Sequence, residues 1–225
     1  MKDDGHILRV ADLGTIEYEK ALALQTELVE RRRTEEIPDT LLLLEHPPVI
    51  TMGKSAKKTD ILAEPSILDA AGATVHVINR GGEVTYHGPG QLVGYIIANL
   101  YQHDRKLRRF IENLEDVFVR LLDEDYGITA GRDEEHRGVW VGDEKITAIG
   151  IAVKNKVTMH GFAFNVNPDL SHFDWIVPCG IRDRGQTSLQ KLTGARQDLS
   201  VTKRQVARQF GSVFGYATVS FEALD

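Results

Sequence analysis

The residues in this chain with the most chemical potential are one cysteine, one lysine and two histidines set among glycines. Cys179 is the only cysteine and lies in Ile176-Val177-Pro178-Cys179-Gly180-Ile181. A lone cysteine often serves as a small buried hydrophobe. Here Pro178 and Gly180 break regular structure on both sides, and Arg182, Asp183 and Arg184 follow. That context puts the thiol on a turn, where it can act as a nucleophile if a neighbour favours the thiolate. Three residues are candidates for that neighbour. His87 belongs to a glycine-rich loop and His160 to a strand. Lys145 opens an otherwise apolar strand, and is read either as a solvated strand end or as a partly buried amine able to accept a proton.

The loop is Arg80 to Gln91, RGGEVTYHGPGQ. Glycine and proline exclude a helix, and twelve residues exceed a hairpin turn. Glycine lets backbone approach a ligand closely, so the loop reads as one wall of a binding site. It matches neither the G-x-x-x-x-G-K-[ST] nor the G-x-G-x-x-G pattern, so it gives no support to a nucleotide site.

The elements that must hold these residues follow from apolar periodicity. Ile7 to Leu13 reads as a strand, and Thr15 as the cap of a helix reaching Arg33. In that helix Tyr18, Ala21, Leu22, Gln25, Leu28 and Val29 share a side, and the Arg31-Arg32-Arg33 triplet reads as a solvated helix end. Thr40 to Leu44 and Val49 to Met52 are short strands separated by His46-Pro47-Pro48. Apolar β-branched runs flank the loop, at Ala73 to Asn79 and Leu92 to Leu100. Asp104 to Tyr126 has apolar residues at helical spacing. Gly138 to Val141, Lys145 to Val153 and Val157 to Val166 read as strands. A last helix starts near Thr202 in a capping box with Gln205, and Ala217 to Leu224 reads as a final strand. Strands mostly adjoin one another, so the expectation is an α+β fold, a central mixed sheet flanked by helices, in one domain over residues 1–225.

Composition sets bounds. The chain has 225 residues, 42% of them hydrophobic, enough for a sizeable core. A net charge of −6 argues against a general nucleic-acid binder. No apolar run is long enough to span a bilayer, and the first residues lack a signal core, so the expected location is the cytoplasm. A single cysteine excludes an intrachain disulfide and a cysteine-based zinc cluster.

Taken together, LLLLEHPPVITMG (41–53), RGGEVTYHGPGQLVGY (80–95), GVWVGDEKITAIGI (138–151), HGFAFNV (160–166), IVPCGI (176–181) and TSL (187–189) resemble the lipoyl(octanoyl) transferases. That family belongs with the biotin and lipoate protein ligases. The resemblance implies a biotin/lipoate protein ligase-like catalytic domain. It implies that octanoate arrives as a thioester on acyl carrier protein and is held on Cys179 as a thioester. The acyl group then passes to the acceptor lysine of a lipoyl domain, in a 2-oxoacid dehydrogenase subunit or the glycine-cleavage H protein. Lys145 lowers the cysteine pKa and passes protons. The acyl-binding positions implied are Arg80, Gly81, Gly82, Glu83, Val84, Thr85, Tyr86, His87, Ala148, Ile149, Gly150, Gly161, Phe162 and Ala163. Glycines 81, 82, 150 and 161 are expected to leave a slot for an eight-carbon chain. No metal or cofactor is implied, and a monomer is expected. Docking an acidic donor and acceptor calls for a basic patch, with Lys57-Lys58 and Arg105 to Arg109 as candidates. Three other readings remain open: an ATP-dependent lipoate or biotin ligase, a cysteine hydrolase of acyl thioesters, and a non-catalytic lipoyl-domain-binding module.

Overall fold

The computed structural model describes residues 7–103, 105–133, 135–177 and 184–224. The first half holds β1 (Ile7–Thr15), α1 (Tyr18–Arg33), β2 (Asp39–Glu45), β3 (Val49–Met52), α2 (Pro65–Ala70), β4 (Thr74–Val77), β5 (Val84–His87) and β6 (Gln91–Ile97). The second holds α3 (Leu107–Tyr126), β7 (Gly131–Arg132), β8 (Val139–Val141), β9 (Glu144–Lys154), β10 (Val157–Asn165), β11 (Gly185–Gln186), α4 (Leu189–Thr193), α5 (Leu199–Phe214) and β12 (Thr218–Phe221). The large sheet runs β12-β1-β2-β6-β10-β9-β8-β7, with β11 beside β9, and a small sheet runs β4-β3-β5. β1 pairs parallel with both β12 and β2, whereas β2, β6, β10 and β9 are successively antiparallel. This is the mixed sheet flanked by helices that the sequence predicts.

The unbroken run Leu41 to Leu44 shows why β2 lies inside the sheet. A strand covered on both faces needs apolar side chains at every position. Leu41 and Leu43 pack with Phe110 and Phe118 of α3 and Phe210 of α5. Leu42 and Leu44 pack on the other face with Ala21, Leu28 and Val29 of α1. Among the described residues no helix is long and apolar enough to cross a membrane.

Three helix starts differ from expectation. Thr15 does not cap α1: β1 runs on through it, pairing Thr15 with Glu45, and the cap position is Glu17, with no side-chain cap bond. α3 begins at Leu107, after Arg105 takes a positive φ of 57°. α5 begins at Leu199, because Asp198 accepts from the Ser200 N–H at 2.7 Å. Thr202 then sits inside the first turn, its hydroxyl donating back to the Asp198 carbonyl.

Nor is the arginine triplet merely solvated. Arg32 is buried and donates to Asp39 Oδ1 at 2.7 Å. The Asn99 N–H donates to the same oxygen at 3.0 Å. Asp39 Oδ2 meets His103 Nε2 at 2.7 Å and the Tyr216 hydroxyl at 2.9 Å. Burial pushes this carboxyl up, but His103 and Arg32 outweigh it and hold Asp39 below the usual carboxylate range.

Candidate active site

The glycine-rich segment does not run as a plain loop. Val84 to His87 forms β5, pairing antiparallel with β3, so the small sheet lies over the face of the large one that carries Tyr95, Ala148 and Ala163. Arg80 braces the entry to β5. Its Nη2 donates to the Thr51 carbonyl and hydroxyl at 2.9 and 3.0 Å, and its Nη1 to the Gly81 carbonyl at 2.9 Å. Gly82 follows with φ +85°, a conformation that L side chains rarely adopt.

Lys145 reaches this face by a strand irregularity. It stands three positions before Ala148, an odd separation that puts the two on opposite faces of a regular strand. The register against β8 resolves the conflict. Val139 pairs with Thr147 but Trp140 with Lys145, so β9 advances two residues while β8 advances one. Such a bulge turns a strand over once and re-aims its side chains. Ile146 therefore shares the α3 side with Ile149 and Ile151, while Lys145 and Ala148 share the pocket side. Lys145 is only 2% exposed, so the reading as a solvated strand end is set aside.

A cavity of about 60 Å3 lies between these two walls. That is small beside the several hundred Å3 of a drug-sized ligand site. Lys145 and twelve of the fourteen expected acyl-binding residues line it. The exceptions are Gly81 and Tyr86. Tyr86 faces the other side of the small sheet, packed edge-on against Phe173 and Trp175, with its hydroxyl 2.7 Å from His172 Nδ1. Neighbouring strand residues point to opposite faces, and Thr85 and His87 take the pocket side.

The expected glycine slot is corrected in part. A Cβ on Gly150 would meet Arg80 Cδ and the Gly81 carbonyl at 3.3 Å, so Arg80 and the loop already fill that space. A Cβ on Gly161 would strike the Gly94 carbonyl at 2.1 Å, so this glycine answers to strand contact. Small side chains at the paired positions Ala148 and Ala163 face the cavity instead. Tyr18, Ile78, Tyr95 and Arg137 also line it and are absent from the sequence-derived set, as is His160, which the sequence singled out only as a possible base. Tyr18 and Tyr95 sit in apolar patterns that signal packing only, and nothing in the local sequence marks them as pocket residues.

Electrostatics separates the candidate bases. Burial first, then the charges of His46, Arg80 and His160, push His87 down to about 3; a hydrogen bond to Gln91 only partly offsets them. Burial and then Arg80 push His160 down to about 4. Both are neutral at pH 7 and weakly basic. Gln91 gives its amide hydrogens to Asn165 Oδ1 and the Tyr86 carbonyl. Its Oε1 therefore faces His87, whose Nδ1 must donate across 2.7 Å. Cys179 lies outside the described residues, as do all of residues 178–183. The described flanks are anchored: the Val177 N–H donates to the Asp60 carbonyl, and β11 pairs with Glu144 and Lys145.

Residues 17–211 match the lipoyl protein ligase A/B catalytic domain. The chain belongs to that family. Members with the name octanoyltransferase include one from Alkaliphilus metalliredigens, 52% identical across 93% of this chain and 96% of that one. Another, from Caldicellulosiruptor saccharolyticus, is 54% identical across 92% and 89%. Among solved structures, a bi-partite lipoate protein ligase from Thermoplasma acidophilum superposes with a TM-score of 0.69 at 15% identity, covering 96% of this chain and 86% of that one. A lipoate-protein ligase A bound with ATP gives 0.70 at 14% identity, covering 96% and 87%. Such distant likeness shows that this lipoyl protein ligase A/B domain has the fold of those ligases.

Proposed function

We propose that this chain takes an octanoyl group from a thioester on acyl carrier protein, holds it on Cys179, and passes it to the lysine of a lipoyl domain. Family membership and about 50% identity to octanoyltransferases over nearly the whole chain make it an acyltransferase that moves an octanoyl group in protein lipoylation. The observation that carries the finer reading is the position of Lys145. It is a buried amine, turned by a bulge into the narrow pocket that the glycine-rich strand covers.

In the first half-reaction the Cys179 thiolate attacks the donor's carbonyl carbon. A C–S bond forms, the carrier's C–S bond breaks, and the carrier sulfur takes a proton as it leaves. In the second, the acceptor amine attacks the Cys179 thioester. An amide C–N bond forms, Cys179 leaves, and the proton shed by the amine passes through Lys145. Lysine suits both halves, because its ammonium favours a thiolate and its neutral amine accepts a proton. A histidine with a pKa of about 3 or 4 does neither well at pH 7. Thioester to amide runs downhill without ATP, which fits a loop lacking a phosphate-binding pattern. A catalytic thiol must stay reduced, which supports a reducing, cytoplasmic location.

The test is intact mass after incubation with octanoyl-acyl carrier protein. An octanoyl adduct is expected on the wild-type chain and none on Cys179→Ala, and the adduct must disappear when a lipoyl domain is added. Acyl-AMP formed from ATP and free octanoate would point to a ligase instead. Adduct lost to water at the same rate with and without acceptor would point to a hydrolase.

A further inference from the structure

Lys145 is held in place by a chain of side chains outside the pocket. Trp140 pairs with Lys145 across β8 and β9. Its ring is 4% exposed, and the Lys145 Nζ lies 4.8 Å from the ring centroid. The Arg184 guanidinium lies 4.4 Å from the centroid of the same ring. Arg184 is itself clamped, with Nη1 on Asp133 Oδ2 at 2.6 Å and Nη2 on Asp143 Oδ1 at 3.4 Å. The indole is fixed at its edge too, where Nε1 donates to the His136 carbonyl at 3.2 Å. A cation near the face of an indole is attracted by the ring quadrupole, more strongly once water is excluded. A lysine stem of four carbons is flexible, so a contact at its ammonium helps fix where the charge sits.

We propose that Trp140, oriented by Arg184, is a positioning residue for acyl transfer: it fixes the Lys145 ammonium at the pocket. The proposal rests on the reading of Lys145 as proton handler. Trp140 is absent from the cavity lining, so its route to the pocket is through Lys145. The run Asp133, Arg184, Trp140, Lys145 also explains an otherwise idle set of charges. Arg184 spans from the β7–β8 connection to the strand partner of Lys145, and directly precedes β11, which runs beside Lys145.

The experiment combines steady-state kinetics with the alkylation rate of Cys179 by iodoacetamide, in the full chain. Trp140→Leu is expected to lower kcat about tenfold with the donor KM changed less than about twofold. Trp140→Phe keeps a ring face and is expected to restore most of that loss. Should the leucine variant fail to fold, Arg184→Gln perturbs the same ring from a site a quarter exposed, with an expected loss of about threefold. A role through Lys145 demands that Trp140→Leu change the alkylation rate in the wild-type background and leave it unchanged beside Lys145→Ala. Equal effects in both backgrounds, or an unaltered kcat in Trp140→Leu and Arg184→Gln, would overturn the proposal. Full activity of Lys145→Ala would instead overturn the reading of Lys145, so the two failures are distinguishable.

Discussion

Acidification should destabilise this protein well above the pH at which its carboxylates titrate. Three histidines gather around the pocket, all nearly inaccessible: His46 at 0%, His160 at 4% and His87 at 7% exposure. Burial pushes His46 and His160 down to about 4 and His87 to about 3, from an ordinary value of 6.5. The sign follows from linkage. Above pH 6.5 neither folded nor unfolded chain carries these protons, so stability is unaffected. Below it the unfolded chain takes up protons that the folded chain refuses, and stability falls until the folded values are reached. Each histidine then costs about 1.4 kcal/mol per pH unit, or about 2 kcal/mol at pH 5. Three together cost on the order of 6 kcal/mol, against a total of roughly 5–15 for a typical domain. Glu115 works in the opposite sense, since burial raises its pKa, but it is one group. With a urea m-value of about 3 kcal/mol per molar, the unfolding midpoint should drop by about 2 M between pH 7 and pH 5. His87→Gln should remove roughly a third of that dependence. A midpoint that moves by less than about 0.3 M over the same range would refute the reasoning.

Other outcomes follow from the same geometry. Lys145→Arg keeps a charge but cannot release a proton, so acyl-enzyme should accumulate; single-turnover transfer from pre-formed acyl-enzyme should fall at least ~100-fold. Lys145→Ala should slow both half-reactions, and an unchanged pH dependence of Cys179 alkylation would argue against any partnership. Gly82→Val forces a β-branched residue to φ +85° and should cost ~2 kcal/mol, seen as a Tm lower by about 4–8 °C; the donor KM should rise as well. Tyr86→Phe should lose about 1 kcal/mol with its contact to His172, read from the urea midpoint, while transfer stays near wild type. A raised KM there would mean that Tyr86 meets substrate after all.

Much of the frame is legible because it is written in strong periodicity. Leu107, Phe110, Leu114, Val117, Phe118, Leu121 and Leu122 recur at helical spacing, and α3 forms there. The four leucines of β2 admit little but an interior strand. β5 is illegible for a definite reason: Val84 to His87 is bracketed by glycines and a proline that read as a break, while its strand character comes from pairing with distant β3. The bulge in β9 leaves no local mark, since Lys145, Ile146 and Thr147 are ordinary strand residues, yet it decides which face Lys145 takes. Arg32 looks like its neighbours Arg31 and Arg33, and only Asp39 and Gln102 on other elements make it a buried ion. The pocket motif itself is readable as RGG and HGPGQ, but Tyr18 and Tyr95 enter the cavity by tertiary placement alone. The sequence misplaces the starts of α1 and α5 because Thr15 is drafted into a strand and Asp198, not Thr202, accepts from the first turn.

The Asp39 network has a bearing on how the polypeptide acquires its shape while being made. Asp39 finds Arg32 seven positions away, but the Tyr216 hydroxyl comes 177 positions later. β1 has the same difficulty: β2 follows it closely, while its other parallel neighbour is β12, from Thr218 onward. During synthesis, then, β1 presents a bare edge and Asp39 an incompletely served charge until Tyr216 and β12 emerge. Unpaired edges recruit other strands, and long-range parallel pairing closes slowly. The nascent chain therefore has a prolonged interval of vulnerability to aggregation, and truncation before Tyr216 should yield insoluble protein rather than a merely weakened enzyme.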